Sequence, residues 1–153
     1  MKLDSASAGG IILVSIGFIF ILTCLDWVLM TNFSFWLNPD LLYRYWIVLG
    51  TIVTVFSFGL AYMAYLMKLP ILAVIATCLT PILLFAGGLL DEFYASFSFV
   101  QGTAYDFSVW SIQWKLFVAN GLLPTWNWFG QAIWSTIFYG LLAYVWYRVL
   151  KKQ

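Results

Sequence analysis

The chain has 153 residues and a formal net charge of +1, and 64% of its residues are hydrophobic while only 8% are charged. Soluble domains carry about 25% charged residues, so this composition excludes an ordinary water-soluble domain. The small net charge, without a basic block, argues against a nucleic-acid partner. The apolar residues form long continuous runs, which favour membrane-spanning helices over the alternating pattern of a barrel. We therefore predict one all-α domain over residues 1–153, an integral membrane four-helix bundle embedded in the lipid bilayer.

The first apolar run predicts a membrane span over residues 9–30. Its part from Ile11 to Leu22 also fits the apolar region of a secretory signal. However, the preceding residues carry only Lys2, whose charge Asp4 offsets, and no small-x-small cleavage pattern follows closely. We therefore expect a retained span and not a cleaved signal.

Two further spans are predicted over residues 43–66 and 71–90. The turn between them, Lys68-Leu69-Pro70, is so short that the two spans must be antiparallel neighbours. Pro70 suits the first turn of span three, where its missing N–H is not needed. Pro81 lies near the middle of span three, where we expect a kink that serves packing in preference to a gate.

An aromatic-rich segment over residues 93–125 separates span three from a fourth predicted span over residues 126–148. The segment carries more aromatic rings than a free loop in water tolerates: Phe93, Phe97, Phe99, Phe107, Trp110, Trp114 and Phe117. This pattern predicts a short interfacial helix that lies in the headgroup plane. The segment covers either its own bundle or a neighbouring subunit, and the sequence leaves both open.

The basic residues predict the orientation of the chain in the membrane. With four spans, one side of the membrane holds Lys2, Lys68, Arg148, Lys151 and Lys152, and the other side holds Arg44 and Lys115. Cytoplasmic loops carry the excess of Lys and Arg in membrane proteins. We therefore expect a multi-pass protein of the cell (cytoplasmic) membrane with both termini in the cytoplasm.

The chain has no histidine, which removes the imidazole ligand used for haem, copper, zinc and non-haem iron. Cys24 and Cys78 are expected at different membrane depths, so we interpret both as small packing residues and not as a disulfide. No imidazole base is present for a Ser or Thr nucleophile, and no Gly-rich phosphate loop occurs. No catalytic residue, cofactor or metal site is therefore predicted.

Three carboxylates near the outer ends of the spans are candidate functional residues: Asp26, Asp91 and Glu92. They offer hard oxygen ligands of the kind that Ca²⁺ and Mg²⁺ prefer, although solvated helix ends are the simpler interpretation for Asp91 and Glu92. Asp26 is the only charge expected more than two residues inside a span, and such residues are functional candidates by default. A structural pairing between Asp26 and Arg44 is an equal alternative.

Small residues recur every four positions on two of the predicted spans. Span four carries the row Ala132, Thr136 and Gly140, and span two carries Gly50 and Thr54, then Ser57 and Ala61. Rows of this kind let another helix approach closely. They serve either contacts within the bundle or contacts with another membrane subunit, and the sequence does not decide between the two.

In size and aromatic richness the chain resembles small accessory subunits of large membrane oxidoreductases, such as respiratory oxidases and the ammonia and methane monooxygenases. The resemblance matches no site residues. It implies a non-catalytic subunit that packs against other integral-membrane subunits and is not an enzyme by itself. The alternative is a small homo-oligomeric transporter or channel, whose shared polar pathway would include Thr51, Thr54, Ser57, Thr77 and Thr80.

Overall fold

The computed structural model describes residues 4–33, 39–102 and 127–152. These residues form five helices and no strand: α1 (Ser5–Phe33), α2 (Pro39–Leu66), α3 (Ile71–Ala86), α4 (Leu89–Val100) and α5 (Trp128–Lys151). The all-α prediction is therefore confirmed for the described part of the chain. The helices extend a few residues beyond the predicted first, second and fourth spans, because polar residues at the ends of a span continue its helix.

Two of the described helices are long and apolar enough to cross a membrane, through Ser5–Leu29 of α1 and Ile47–Leu66 of α2. Helices α3 and α4 make a third if the bent pair counts as one broken span. Helix α5 forms at the predicted fourth span but is not among them, since Trp, Tyr, Gln and Gly residues dilute its aliphatic content. The count of two or three is consistent with a membrane protein and falls short of the predicted four.

The third predicted span differs most from the structure. Residues 71–90 do not form one helix, because α3 ends at Ala86 and α4 begins at Leu89 after a bend of 46°. The break lies at Gly87-Gly88. Helix α3 continues through Pro81, and the kink expected there stays a prediction. Residues 93–100 of the predicted interfacial segment belong to α4, which packs against α1 of the same chain. The rest of that segment, residues 103–125, lies outside the described residues.

Helix α3 is the centre of the bundle and contacts each of the other four helices. Ala73 and Ala76 of α3 are fully buried, and such small side chains let neighbouring helices approach closely. The larger core side chains around α3 come mainly from α1, α2 and α5: Ile19, Leu22, Leu49, Val53, Leu142, Trp146 and Val149. The position of α3 therefore fixes the other helices relative to one another.

The turn between α2 and α3 confirms the predicted antiparallel pair. The Leu69 N–H donates to the Ala64 carbonyl at 3.2 Å, and the Lys68 N–H donates to the Tyr65 carbonyl at 2.9 Å. This pair of bonds is a Schellman motif, which satisfies the last carbonyls of a helix within the backbone itself. Lys68 occupies its left-handed position with φ 57°, a conformation usually left to glycine.

The outer surfaces of α1 and α2 consist of large apolar side chains. Leu13, Ile21, Val55 and Phe58 expose between 61% and 68% of their surface. Soluble monomers rarely expose contiguous apolar surface on this scale, whereas lipid tails solvate it readily. The surface therefore agrees with the composition in indicating a bilayer environment for these two helices.

Candidate functional site: buried carboxylates beside a broken helix

Asp26 lies inside the candidate span of α1 with only 2% of its surface exposed. The Tyr45 hydroxyl of α2 donates a hydrogen bond to its Oδ1 atom, and Tyr94 of α4 packs its ring against the neighbouring Trp27. Arg44, the partner considered from the sequence, is exposed, and its neighbour Tyr45 is the donor instead. The buried carboxylate is therefore held by a phenol group of α2, and a second phenol, on α4, lies near it.

An aromatic contact between α1 and α4 covers this carboxylate. The Trp27 ring lies 5.2 Å from the Tyr94 ring and 5.8 Å from the Phe97 ring, measured between centroids. Phe20 makes an edge contact with Phe93 at 5.3 Å. Such pairs add specific geometry to apolar burial. They fix α4 along α1, so that the phenol of Tyr94 lies beside Asp26.

At the break between α3 and α4, some backbone carbonyls have no donor within their own helix. Side chains of α5 donate hydrogen bonds to these carbonyls. The Ser135 hydroxyl donates to the Gly87 carbonyl at 2.8 Å, and the Gln131 amide donates to the same oxygen at 3.4 Å. The Trp134 indole N–H donates to the Ala86 carbonyl at 2.7 Å. Irregular backbone at membrane depth is tolerated only where the protein itself satisfies it, and α5 does so here.

The structure favours glycine at both positions of this break. A β-carbon on Gly87 would meet Tyr139 Cε1 at 2.8 Å and both the Leu83 carbonyl oxygen and Phe138 Cβ at 3.0 Å. Gly88 has φ 92°, in the region that favours glycine, and caps the N-terminus of α4. The break is therefore specified by backbone conformation at one residue and by close packing of α5 at the other.

Asp91 and Glu92 lie in the first turn of α4, where carboxylates interact favourably with the helix dipole. Glu92 accepts a hydrogen bond from the Tyr139 hydroxyl at 3.0 Å. Asp91 is only 2% exposed, so its interpretation as a solvated helix end is wrong. The burial of this carboxylate depends on tertiary packing, which is not visible in the local sequence.

The described residues contain no group of three or more His, Cys, Asp or Glu side chains that could hold a metal ion. The structure therefore does not gather Asp26, Asp91 and Glu92 into a cation site. Cys24 and Cys78 are free, half-buried thiols.

The hydroxyl groups proposed to line a transport pathway do not share one surface. Thr51 and Thr54 are exposed on α2, whereas Ser57, Thr77 and Thr80 are buried. Each of the five donates to the carbonyl four residues earlier in its own helix, at 2.7 or 2.8 Å. Thr80 also accepts the indole N–H of Trp146 at 3.0 Å. These hydroxyls therefore satisfy local backbone and inter-helix contacts.

The two small-residue rows have different surroundings. On α2, Ser57 and Ala61 are buried in the bundle, while Thr54 is exposed and Gly50 is half-buried. On α5, all three members of the row are exposed: Ala132, Thr136 and Gly140. Gly140 has no atom within 4 Å of a β-carbon built upon it. The row on α5 therefore faces away from the bundle.

Sequence reasoning missed the partners of the buried polar groups: Tyr45, Tyr94, Gln131, Trp134, Ser135 and Tyr139. The tyrosines give no local signal, since an aromatic side chain near a membrane boundary needs no partner to explain it. One signal was available for α5. Gln131 and Ser135 are four residues apart on one face, and polar groups in such a helix need a buried partner. Their partner is the Gly87 carbonyl.

Comparison of the chain with protein families, curated proteins and solved structures gives no match.

Proposed function

We propose that the chain is a non-catalytic accessory subunit of a larger integral-membrane complex in the cell (cytoplasmic) membrane, with both termini in the cytoplasm. The proposal extends to the type of complex: a respiratory oxidase or an oxidoreductase of the ammonia or methane monooxygenase type. The composition of the chain, with no histidine and many aromatic residues, supports it. Its expected partners are lipids and other membrane subunits.

The observation that carries the proposal is the exposed row on α5. Ala132, Thr136 and Gly140 form a strip of small residues on the side of α5 that faces away from α3. Lipid tails gain nothing from such a strip, whereas another helix packs closely against it. The polar groups inside the chain support the same function, because they are engaged with one another and hold the helices in place.

If a partner helix binds this row, the partner subunits should co-purify with the chain only while the row stays narrow. Replacing Gly140 with Leu fills the row with a large side chain, and the bound subunits should be lost in mild detergent. Gly59→Leu is the matched control, since Gly59 is also an exposed helical glycine with no atom within 4 Å of its β-carbon position. Retention of all partner subunits by the Gly140 variant, at the level of the control, would overturn the proposed interface.

The second candidate function is a small homo-oligomeric transporter or channel. The broken helix pair and the buried carboxylates Asp26 and Asp91 favour it, because discontinuous helices and membrane-embedded acids are features of transport sites. The test is ion or solute flux into liposomes that contain the isolated chain. Flux that is lost in Asp26→Asn but retained in Tyr62→Phe, at an exposed position of α2 outside the proposed pathway, would support this function over the accessory role.

A further inference from the structure

The last two turns of α5 carry a compact group of aromatic and basic side chains on one face. Tyr144, Tyr147, Arg148 and Lys151 are all exposed, and their spacing of three, four and seven residues places them on the same side of the helix. We refer to these four residues as the tyrosine–basic face. It lies beyond the small-residue row, at the end of α5.

The structure pairs each cation of this face with a tyrosine. Arg148 Nη1 lies 2.7 Å from the Tyr144 hydroxyl, to which it donates, and its guanidinium carbon is 5.7 Å from the centre of that ring. Lys151 Nζ lies 5.6 Å from the centre of the Tyr147 ring. These contacts lay the cations along the helix surface, where two positive groups stand about one turn apart. A hydrogen-bonded guanidinium retains further N–H donors for a second acceptor.

The helix that presents this face is firmly anchored on its opposite side. Trp146 is buried and donates its indole N–H to Thr80 of α3 at 3.0 Å, and Val149 is also buried. The tyrosine–basic face is therefore held at a fixed orientation, away from α3. The helix therefore presents the four side chains together on one surface.

Charge at this end of the bundle is strongly one-sided among the described residues. Helices α3 and α5 run antiparallel, so Lys68 before α3 lies at the same end as Arg148, Lys151 and Lys152. The described carboxylate at this end is Asp4, and its Oδ1 already accepts the Ser7 N–H at 2.8 Å. A positive surface of this kind attracts anions.

We propose that the tyrosine–basic face binds the phosphate headgroup of an anionic phospholipid in the membrane leaflet at which α5 ends. A guanidinium fits a phosphate with two parallel N–H donors, and a lysine adds a mobile positive charge. Tyrosine rings prefer the headgroup level of a bilayer. The phosphate of an adjacent lipid meets all three groups without moving the helix. This inference does not depend on the accessory-subunit proposal.

The test is native mass spectrometry of the full chain from mixed micelles that contain equal amounts of phosphatidylglycerol and phosphatidylcholine. The protein should retain phosphatidylglycerol in preference to phosphatidylcholine. The double variant Arg148→Gln with Lys151→Gln should reduce this preference by about tenfold or more, since each basic residue near a membrane surface contributes appreciably to anionic lipid binding. Tyr144→Phe, which removes the hydrogen-bond partner of Arg148, should reduce it less.

Arg44→Gln is the matched control, because Arg44 is an exposed basic residue at the opposite end of the bundle. It should leave the preference unchanged. Circular dichroism verifies that each variant keeps its helices. An unchanged lipid preference in the folded double variant would overturn the proposal. If that variant keeps its lipids but loses a co-purifying protein, the face binds an acidic protein segment and the lipid proposal is wrong.

Discussion

In the described part of the chain, two helices end and the next one begins after only a few residues. The backbone carbonyls at the two helix ends find their hydrogen-bond donors in different ways. At the α2–α3 turn, Lys68 and Leu69 donate to carbonyls of the preceding turn, so the solution is entirely local. At the α3–α4 break, the donors to Ala86 and Gly87 come from α5, between 44 and 48 residues away in sequence. One interruption has an exposed lysine at its centre and the other has two buried glycines.

The difference follows from the surroundings of each interruption. An exposed turn at the edge of the bundle has water or headgroups available for the carbonyls that its own backbone leaves unpaired. A break inside the bundle has only other side chains, and an unsatisfied backbone group there costs several kcal/mol, on the order of the penalty for lipid burial. Helix α5 therefore supplies the donors that the break needs, while the α2–α3 turn satisfies its carbonyls within its own backbone.

The largest expected effect is at Gly87. Gly87→Val places a branched side chain against Tyr139, Phe138 and the Leu83 carbonyl, and overpacking of this kind lowers the free energy of unfolding by about 3 kcal/mol. Thermal or denaturant unfolding of the detergent-solubilised protein measures the loss. Gly59→Val, at an open and exposed helical position, is the control and should lose less than about 1 kcal/mol. Equal losses in the two variants would mean that α5 does not pack closely on the break.

A second polar contact between helices joins Asp26 and Tyr45. As at the break, loss of the donor should leave a buried polar group unsatisfied and destabilise the fold. Tyr45→Phe removes the donor and leaves a buried carboxylate with one phenol fewer, which should lower the free energy of unfolding by about 2 kcal/mol. Tyr62→Phe, at an exposed position of the same helix, should change it little. A double-mutant cycle with Asp26→Asn isolates the contact. An interaction energy near zero would show that the two groups are not coupled.

Removing one donor from the break should cost less, because the other donors remain. Ser135→Ala takes away the shorter of the two hydrogen bonds to the Gly87 carbonyl and should lower the free energy of unfolding by about 1 kcal/mol. Thr51→Ala removes an exposed hydroxyl that bonds only to its own helix and serves as the control. The loss should increase when Gln131→Leu is added to Ser135→Ala. If the double variant is as stable as the parent protein, water and not α5 satisfies the break.

The smallest effect should have the opposite sign at the two interruptions. Lys68→Gly relieves the left-handed conformation of a non-glycine residue and should raise the free energy of unfolding by about 0.5 kcal/mol, after the entropy cost of glycine is subtracted. Gly88→Ala introduces that strain at the break and should lower it by about 1 kcal/mol. Lys68→Ala is the control, since it removes the charge but keeps the conformation. A gain in Lys68→Ala equal to that in Lys68→Gly would assign the effect to charge.

The comparison also shows which parts of the fold could be predicted from the sequence. The helices α1 and α2 and the turn before α3 were predictable, since long apolar runs and a short Pro-containing turn are local signals. The end of α3 was not. Gly87-Gly88 is a weak local signal, because the donors that stabilise the interruption come from α5. Pro81 is the stronger local signal, but it lies inside an unbroken helix.

The candidate site divides in the same way. Asp26 was recognisable as an acid within a span, because its sequence neighbours are apolar. Its partner Tyr45 was not, since the pairing depends on how α1, α2 and α4 pack. Packing also decides that the row on α5 is exposed while Ser57 and Ala61 on α2 are buried. The spacing of small residues is the same in both rows, so it could not show which row is buried.

The central claim is that the chain acts as an accessory subunit, and native mass spectrometry of the protein extracted gently from its source membrane tests it most directly. We predict a stoichiometric complex with larger membrane polypeptides, which dissociates in Gly140→Leu and persists in Gly59→Leu. Recovery of the unmodified chain only as a stable monomer or as a complex of identical copies would contradict it.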